Sequence, residues 1–143
     1  MQLVPYLNFD GTCAEAFRFY ERVLGGRLET IMTHEDSPMA GQVGPEWRDR
    51  VLHACLRIGD GLLMASDIPP GVHTRPQGMY VSIHLDSVEE AERIFGALAE
   101  GGVVEMPLAP TFWADRFGIC ADRYGTQWMI NCAAPAAQPA AAG

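Results

Sequence analysis

Residues 5 to 26 read PYLNFDGTCAEAFRFYERVLGG, which is a strand, a turn and a helix in succession. With Leu3 and Val4 the opening becomes LVPYLNF, a short run rich in aliphatic and aromatic side chains that predicts a strand. Asp10 and Gly11 supply the turn. Thr12 and Glu15 have capping-box spacing, in which each side chain reaches the other residue's backbone N–H and so opens a helix. Within AEAFRFYERVL, Phe17, Tyr20 and Leu24 recur three and four residues apart and share the face to be buried. Gly25 and Gly26 stop the helix, because the chain leaves it most easily through a residue without a Cβ.

The same succession restarts 76 residues later. Asp10 matches Asp86, Phe19 matches Phe95, and Gly25-Gly26 match Gly101-Gly102. In the first copy RLETIMTHE predicts a second strand, Asp36 to Arg50 a loop rich in Gly and Pro, and VLHACLRI and LLMAS a hairpin about Gly59-Asp60-Gly61. After the loop IPPGVHTRPQG, the second copy runs through the strand MYVSIHL and a helix over VEEAERIFGALAE, opened by Ser87 and Glu90. Ile94, Phe95 and Leu98 mark the buried side of that helix. The strands VVEM, FGICA and QWMINC follow, the last two joined by a turn containing Asp122 and Gly125. The expected fold class is α+β, with duplicated βαβββ units over about residues 1–68 and 77–132. Each unit buries one sheet face under its helix, and the curved mixed sheets are expected to enclose a small-molecule chamber. The tail 133–143, rich in Ala and Pro, is expected to be disordered.

A hydrophobic content of 48% argues against global disorder. Eighteen acidic residues against ten basic ones leave a formal charge of −8, and no basic patch is concentrated enough to read phosphates, so nucleic acid is not an expected partner. Cys13, Cys55, Cys120 and Cys132 lack CxxC spacing and are expected to be reduced. No basic segment precedes a long apolar run, and no window holds 18 continuous apolar residues, so the chain is expected to be soluble and cytoplasmic with no membrane partner.

PYLNFDGTCAEAFRFYERVLGG, HACLRIGDGLLMASD and TFWADRFGICADRYGTQWMINC, in this order across both halves, resemble the vicinal oxygen chelate superfamily, the glyoxalase, bleomycin-resistance and extradiol-dioxygenase group. Within it the sequence is most similar to the PhnB-like branch, over roughly residues 2 to 132. The resemblance implies a chamber that binds a small molecule and, in many members, a homodimer. Metal-dependent members draw ligands from the first and closing strands of each half. Those positions fall here at about Pro5, Tyr80 and Met129, with Leu63 or Met64 as the remaining one, and none is a usual hard-metal ligand. No metal and no cofactor are therefore expected. A relocated site built from His53, His84 and an acidic residue is the alternative. S-adenosylmethionine is not expected, because no glycine-rich strand-to-helix motif is present.

His53 shares a strand face with Cys55 and Arg57, and His84 shares one with Ser82 and Tyr80, by the two-residue period of a strand. Either imidazole could exchange protons near neutral pH, or simply hydrogen-bond a neighbouring strand or turn. His34 and His73 are weaker candidates in loops. Cys55 and Cys120 read as packing residues, and Cys13 as a surface thiol beside a helix start. In APTFWADRFG, Thr111, Phe112, Trp113 and Arg116 combine apolar faces, a hydroxyl and a charge that could orient a ligand, or fasten one half or subunit to another. Tyr80, Ser82, Thr111, Phe112, Trp113 and Arg116 are the expected ligand contacts. Three functions follow from this reading: a metal-free binding protein that sequesters or presents its ligand, a lyase or isomerase that is metal-independent or uses a relocated metal, and a structural or regulatory homodimer.

Overall fold

The computed structural model describes residues 1–133, which divide into a unit from Met1 to Thr74 and a second beginning at Arg75. The first contains β1 (Tyr6–Phe9), α1 (Cys13–Leu24), β2 (Arg27–Thr33), β3 (Val51–Ile58) and β4 (Gly61–Asp67). The second contains β5 (Val81–Leu85), α2 (Val88–Ala99), β6 (Val103–Ala109), β7 (Ala114–Ala121) and β8 (Gln127–Ala133). Each unit is βαβββ with a four-stranded mixed sheet, ordered β1-β4-β3-β2 and β5-β8-β7-β6. The first and last strands of each unit pair in parallel, which requires the helical crossover between them. The duplicated α+β fold read from the sequence is the one observed. Of the tail expected to be disordered, Ala133 ends β8 and the remainder lies outside the described residues. Among the described residues no helix is long and apolar enough to cross a membrane.

In the first unit α1 buries Cys13, Ala16, Phe17, Tyr20 and Val23. This stripe recurs at helical spacing, and each large side chain contributes about 1.5–3 kcal/mol when fully removed from water. Val23, rather than the predicted Leu24, closes the stripe, and Leu24 is half-buried. Phe9, Leu56, Leu63 and Ala65 complete this core from the sheet. Gly59 and Asp60 join β3 to β4 with Ile58 opposite Gly61, and Gly59 alone of the two has positive φ, as in a type II′ turn. The segment from Asp36 to Arg50 is an ordered connection with two 3₁₀ turns, Ala40–Gln42 and Pro45–Trp47.

In the second unit Ala91, Ile94, Phe95 and Leu98 of α2 are buried, as their spacing predicts, with Trp128, Ile130 and Cys132 of β8 in the same core. The last three strands are longer than the sequence suggested. β6 continues past Met106 through Pro107, which an edge strand tolerates, and two register shifts interrupt its pairing with β7. β7 begins at Ala114, so Asp115 and Arg116 are strand residues. β5 starts at Val81, leaving Met79 and Tyr80 just ahead of it.

The two helices begin differently. The Ser87 hydroxyl accepts from the Glu90 N–H at 3.2 Å, as expected. Thr12 makes no side-chain cap bond, which corrects the first capping box. The Cys13 N–H instead donates to Asp67 Oδ1 from the end of β4 at 2.9 Å, and the Val51 N–H donates to the other oxygen at 2.9 Å. Asp67 thereby ties together the start of α1, the start of β3 and the end of β4. It also corrects the surface reading of Cys13, which is buried, with its thiol pKa pushed up by desolvation and then by the Asp67 charge. In the second unit Asp122, 1% exposed, accepts from the Tyr124 and Thr126 N–H groups and from Trp128 Nε1 at 2.8–3.1 Å.

Gly25 and Gly101 have φ of 72° and 77° after their helices. At the next position a Cβ on Gly26 would lie 2.6 Å from the Arg57 carbonyl oxygen, and one on Gly102 would run into that of Ala121. The repeated Gly-Gly pair thus combines a left-handed exit with a backbone-to-backbone approach. Gly102→Ala is expected to cost about 1–3 kcal/mol through that overlap, with Gly96→Ala, where space is open, as the control in urea unfolding. In the same assay Ser87→Ala should cost about 1 kcal/mol and Thr12→Ala only a few tenths. Asp67→Ala, which orphans two backbone donors, should cost about 3 kcal/mol.

Candidate functional site

Each sheet has one face against its helix and a second, open face. On the open face of the first unit, strand alternation and register bring together Tyr6 on β1, Met64 on β4, and His53 and Cys55 on β3. Tyr6 and His53 lie on strands separated by β4, yet the Tyr6 hydroxyl meets His53 Nδ1 at 3.0 Å and their rings stack with centroids 5.7 Å apart. Arg57, two residues beyond Cys55, donates to Glu29 Oε2 at 2.7 Å and Arg27 donates to the same oxygen at 3.0 Å. These two bonds hold the Glu29 carboxyl below its ordinary titration range.

The second unit carries a related bridge. The Tyr80 hydroxyl donates to Glu105 Oε2 at 3.1 Å, and Gln127 Nε2 donates to Oε1 at 3.3 Å. Residues from β8, β6 and the approach to β5 are thereby joined across the open face. The hydrogen bond to Glu105, then its negative charge, raises the Tyr80 phenol pKa. Ser82 Oγ lies 3.0 Å from His84 Nε2, and Met129 stands opposite Ser82 in the parallel ladder. Tyr80, Ser82 and His84 are all exposed, whereas Val81, Ile83 and Leu85 are half-buried, as one open face requires.

Just ahead of β7, Thr111 Oγ1 accepts from the Trp113 and Ala114 N–H groups, so its hydroxyl shapes the turn. Trp113, 46% exposed, meets Phe117 edge-on at 5.2 Å, and Phe112, 95% exposed, meets Trp113 at 4.7 Å. Phe117 stands opposite Asn131, which stands opposite His84, so this aromatic group sits at the His84 end of the face. Arg116 turns the other way and donates to Glu92 of α2 at 3.3 Å. His53 and His84 belong to different units, each with its own partner.

The family's ligand positions do not offer a divalent metal suitable donors. Pro5 contributes a ring and a carbonyl that accepts from the Met64 N–H, Tyr80 contributes a phenol bonded to Glu105, and Met129 a thioether. Of the two candidates on β4, Met64 lies on the open face and Leu63 in the core. Zinc takes imidazole, thiolate or carboxylate, and the harder ions take oxygen. Among the described residues no group of three or more His, Cys, Asp or Glu is arranged to hold a metal. Burial, followed by the charges of Asp122 and Glu105, pushes the Cys120 thiol up to about 11, so it is protonated at neutral pH.

Sequence reasoning missed Tyr6, Glu105 and Gln127. The signal for Glu105 was available, since Glu29 and Glu105 are identical at the 76-residue offset and both collect donors on an open face. His34, read as a loop residue, is buried and its Nδ1 has no hydrogen-bond partner.

Known proteins give this geometry its context. The model of the Glyoxalase/Bleomycin resistance protein/Dioxygenase superfamily matches residues 2–130. Protein YjdN of Escherichia coli K12 is 35% identical over 139 residues, 92% of this chain and 95% of its own length. The crystal structure of protein PA1353 from Pseudomonas aeruginosa is 48% identical with a TM-score of 0.85, covering 93% of this chain and 98% of that one. A PhnB protein from Bacillus cereus, 24% identical, shares the fold at a TM-score of 0.77 over 93% of this chain and all of its own. The chain belongs to the Glyoxalase/Bleomycin resistance protein/Dioxygenase superfamily.

Proposed function

We propose that the protein is a PhnB-like small-molecule-binding protein that holds its ligand against the open sheet faces without the divalent metal used elsewhere in the superfamily, and that it sequesters or presents that ligand. The observation that carries this reading is the Tyr80–Glu105–Gln127 bridge. It fixes two carboxylate oxygens and a phenol above a surface that includes the Met129 thioether, with Trp113 at one end. A small molecule with an apolar body and one or two hydrogen-bonding groups suits such a surface. The working form under this proposal is a cytoplasmic homodimer, as many relatives of this fold are paired.

The test is a small-molecule screen run with and without chelator, read by thermal shift. A ligand at one hundred times its Kd stabilises the folded state by about 2.7 kcal/mol. Trp113→Ala is expected to weaken the best binder about tenfold, equivalent to about 1.4 kcal/mol, and Glu105→Gln to weaken any binder that donates to the carboxylate. Binding that disappears with chelator, or that ignores both substitutions, overturns the assignment.

The Tyr6–His53 bond supports a second reading, a metal-independent lyase or isomerase. With Nδ1 engaged by the tyrosine hydroxyl, Nε2 of His53 is left to exchange a proton with a substrate. If the protein turns over a ligand found in the screen, His53→Ala should lower kcat about a hundredfold and Tyr6→Phe less, with the unfolding midpoint little changed. Full turnover in His53→Ala removes that role.

A further inference from the structure

All ten basic residues of the chain are arginines, and three of them meet in one cleft. The cleft measures about 470 Å³ and lies between α1 and the segment leading into β3, with Arg18, Arg22 and Arg50 lining it beside Gly11 and Ala14 and with Asp67 at the end of β4. Ala14, Arg18 and Arg22 follow one another at four-residue spacing and form one helical stripe. Like charges at that spacing repel, so helix stability alone gives no reason for the pair. Arg50 comes from the other side, just before β3, with its guanidinium 5.6 Å from the centre of the Trp47 ring. A Cβ on Gly11 would lie 3.3 Å from Arg50 Nε, so glycine leaves room for the guanidinium.

These arginines differ from four of the other seven in what they touch. Arg27, Arg57, Arg93 and Arg116 each have a glutamate oxygen within 3.3 Å. Among the described residues the Arg18 guanidinium has no partner, and Arg22 donates once, to the Arg18 carbonyl oxygen. Arg50 Nε is buried without a partner, and its ion pair is a 3.8 Å approach to Asp49, whose side chain is 79% exposed. Glu15, Asp49 and Asp67 line the same cleft. Both oxygens of Asp67 accept from backbone N–H groups rather than from a guanidinium.

We propose that this cleft binds a compact oxyanion of the phosphate class, with the three guanidinium groups as its donors. Planar guanidinium forks match the oxygens of phosphate. The cleft leaves room for a small organic body beside one phosphate group, as in a phosphomonoester. The site is lined by first-unit residues alone.

The experiment is a backbone-amide NMR titration of the full chain with inorganic phosphate and, separately, with glycerol 3-phosphate, at ionic strength held constant with chloride. Saturating shifts are expected at Gly11, Ala14 and Arg50, with the ester binding more tightly than the free ion. The Arg18→Gln/Arg22→Gln double variant should bind at least tenfold more weakly with its melting temperature unchanged. Arg50→Gln serves as a second variant with the same expectation for binding. Trp113→Ala should leave phosphate binding intact, which separates this site from the small-molecule face. Equal affinity for the two probes keeps the oxyanion site and assigns it to free phosphate. Shifts that do not saturate, or that persist equally in both arginine variants, overturn it.

Discussion

The first unit depends on one carboxylate. Asp67 stands at the end of β4, where three segments far apart in sequence must converge: the first turn of α1, the start of β3 and the strand end itself. A helix start leaves N–H groups unpaired, and a strand entering from a long connection does the same. One buried aspartate answers both demands with two short hydrogen bonds. Its burial is sustained because both oxygens accept, and the cost of desolvating the charge is offset only while both donors stay in place. The second unit meets a similar demand through Asp122, which gathers two turn N–H groups and the Trp128 indole into a single buried knot.

The repeated fold was legible because its signals are local. Gly25-Gly26 and Gly101-Gly102 mark the two helix exits, and Phe17, Tyr20, Ile94, Phe95 and Leu98 mark the buried stripes. What failed to show were interactions whose partners lie far along the chain. Thr12 and Glu15 have the spacing of a capping box, but an aspartate fifty-four residues from Cys13 occupies the N–H at the helix start. Arg116 reads as a ligand contact beside Trp113, yet strand alternation turns it toward Glu92 on the helix. Tyr80, Ser82 and His84 were correctly grouped, since a two-residue period suffices for that. The partner of Tyr80 was not, because Glu105 arrives from the opposite edge of the sheet.

The two halves have kept a scaffold and changed what it displays. Glu29 and Glu105 occupy matching places, but one binds two arginines and the other a phenol and an amide. The first is a surface cluster of one carboxylate and two guanidiniums, screened by solvent and of small energetic weight. The second leaves a carboxylate held only by neutral donors, so its negative charge remains available to a ligand. Divergence of this kind lets a duplicated unit acquire a distinct chemistry on one copy without disturbing the core that both copies need.

The edge formed by β6 has a consequence for how copies of this chain could associate. Val103, Val104 and Met106 are exposed apolar residues on an outermost strand, a combination that invites another strand to add itself. Pro107 removes a donor from that edge, and the two register shifts bend the ladder away from the flat geometry that strand addition needs. Backbone shape thus guards the edge alongside the Glu105 charge, and both oppose growth of the sheet into a fibre on that side.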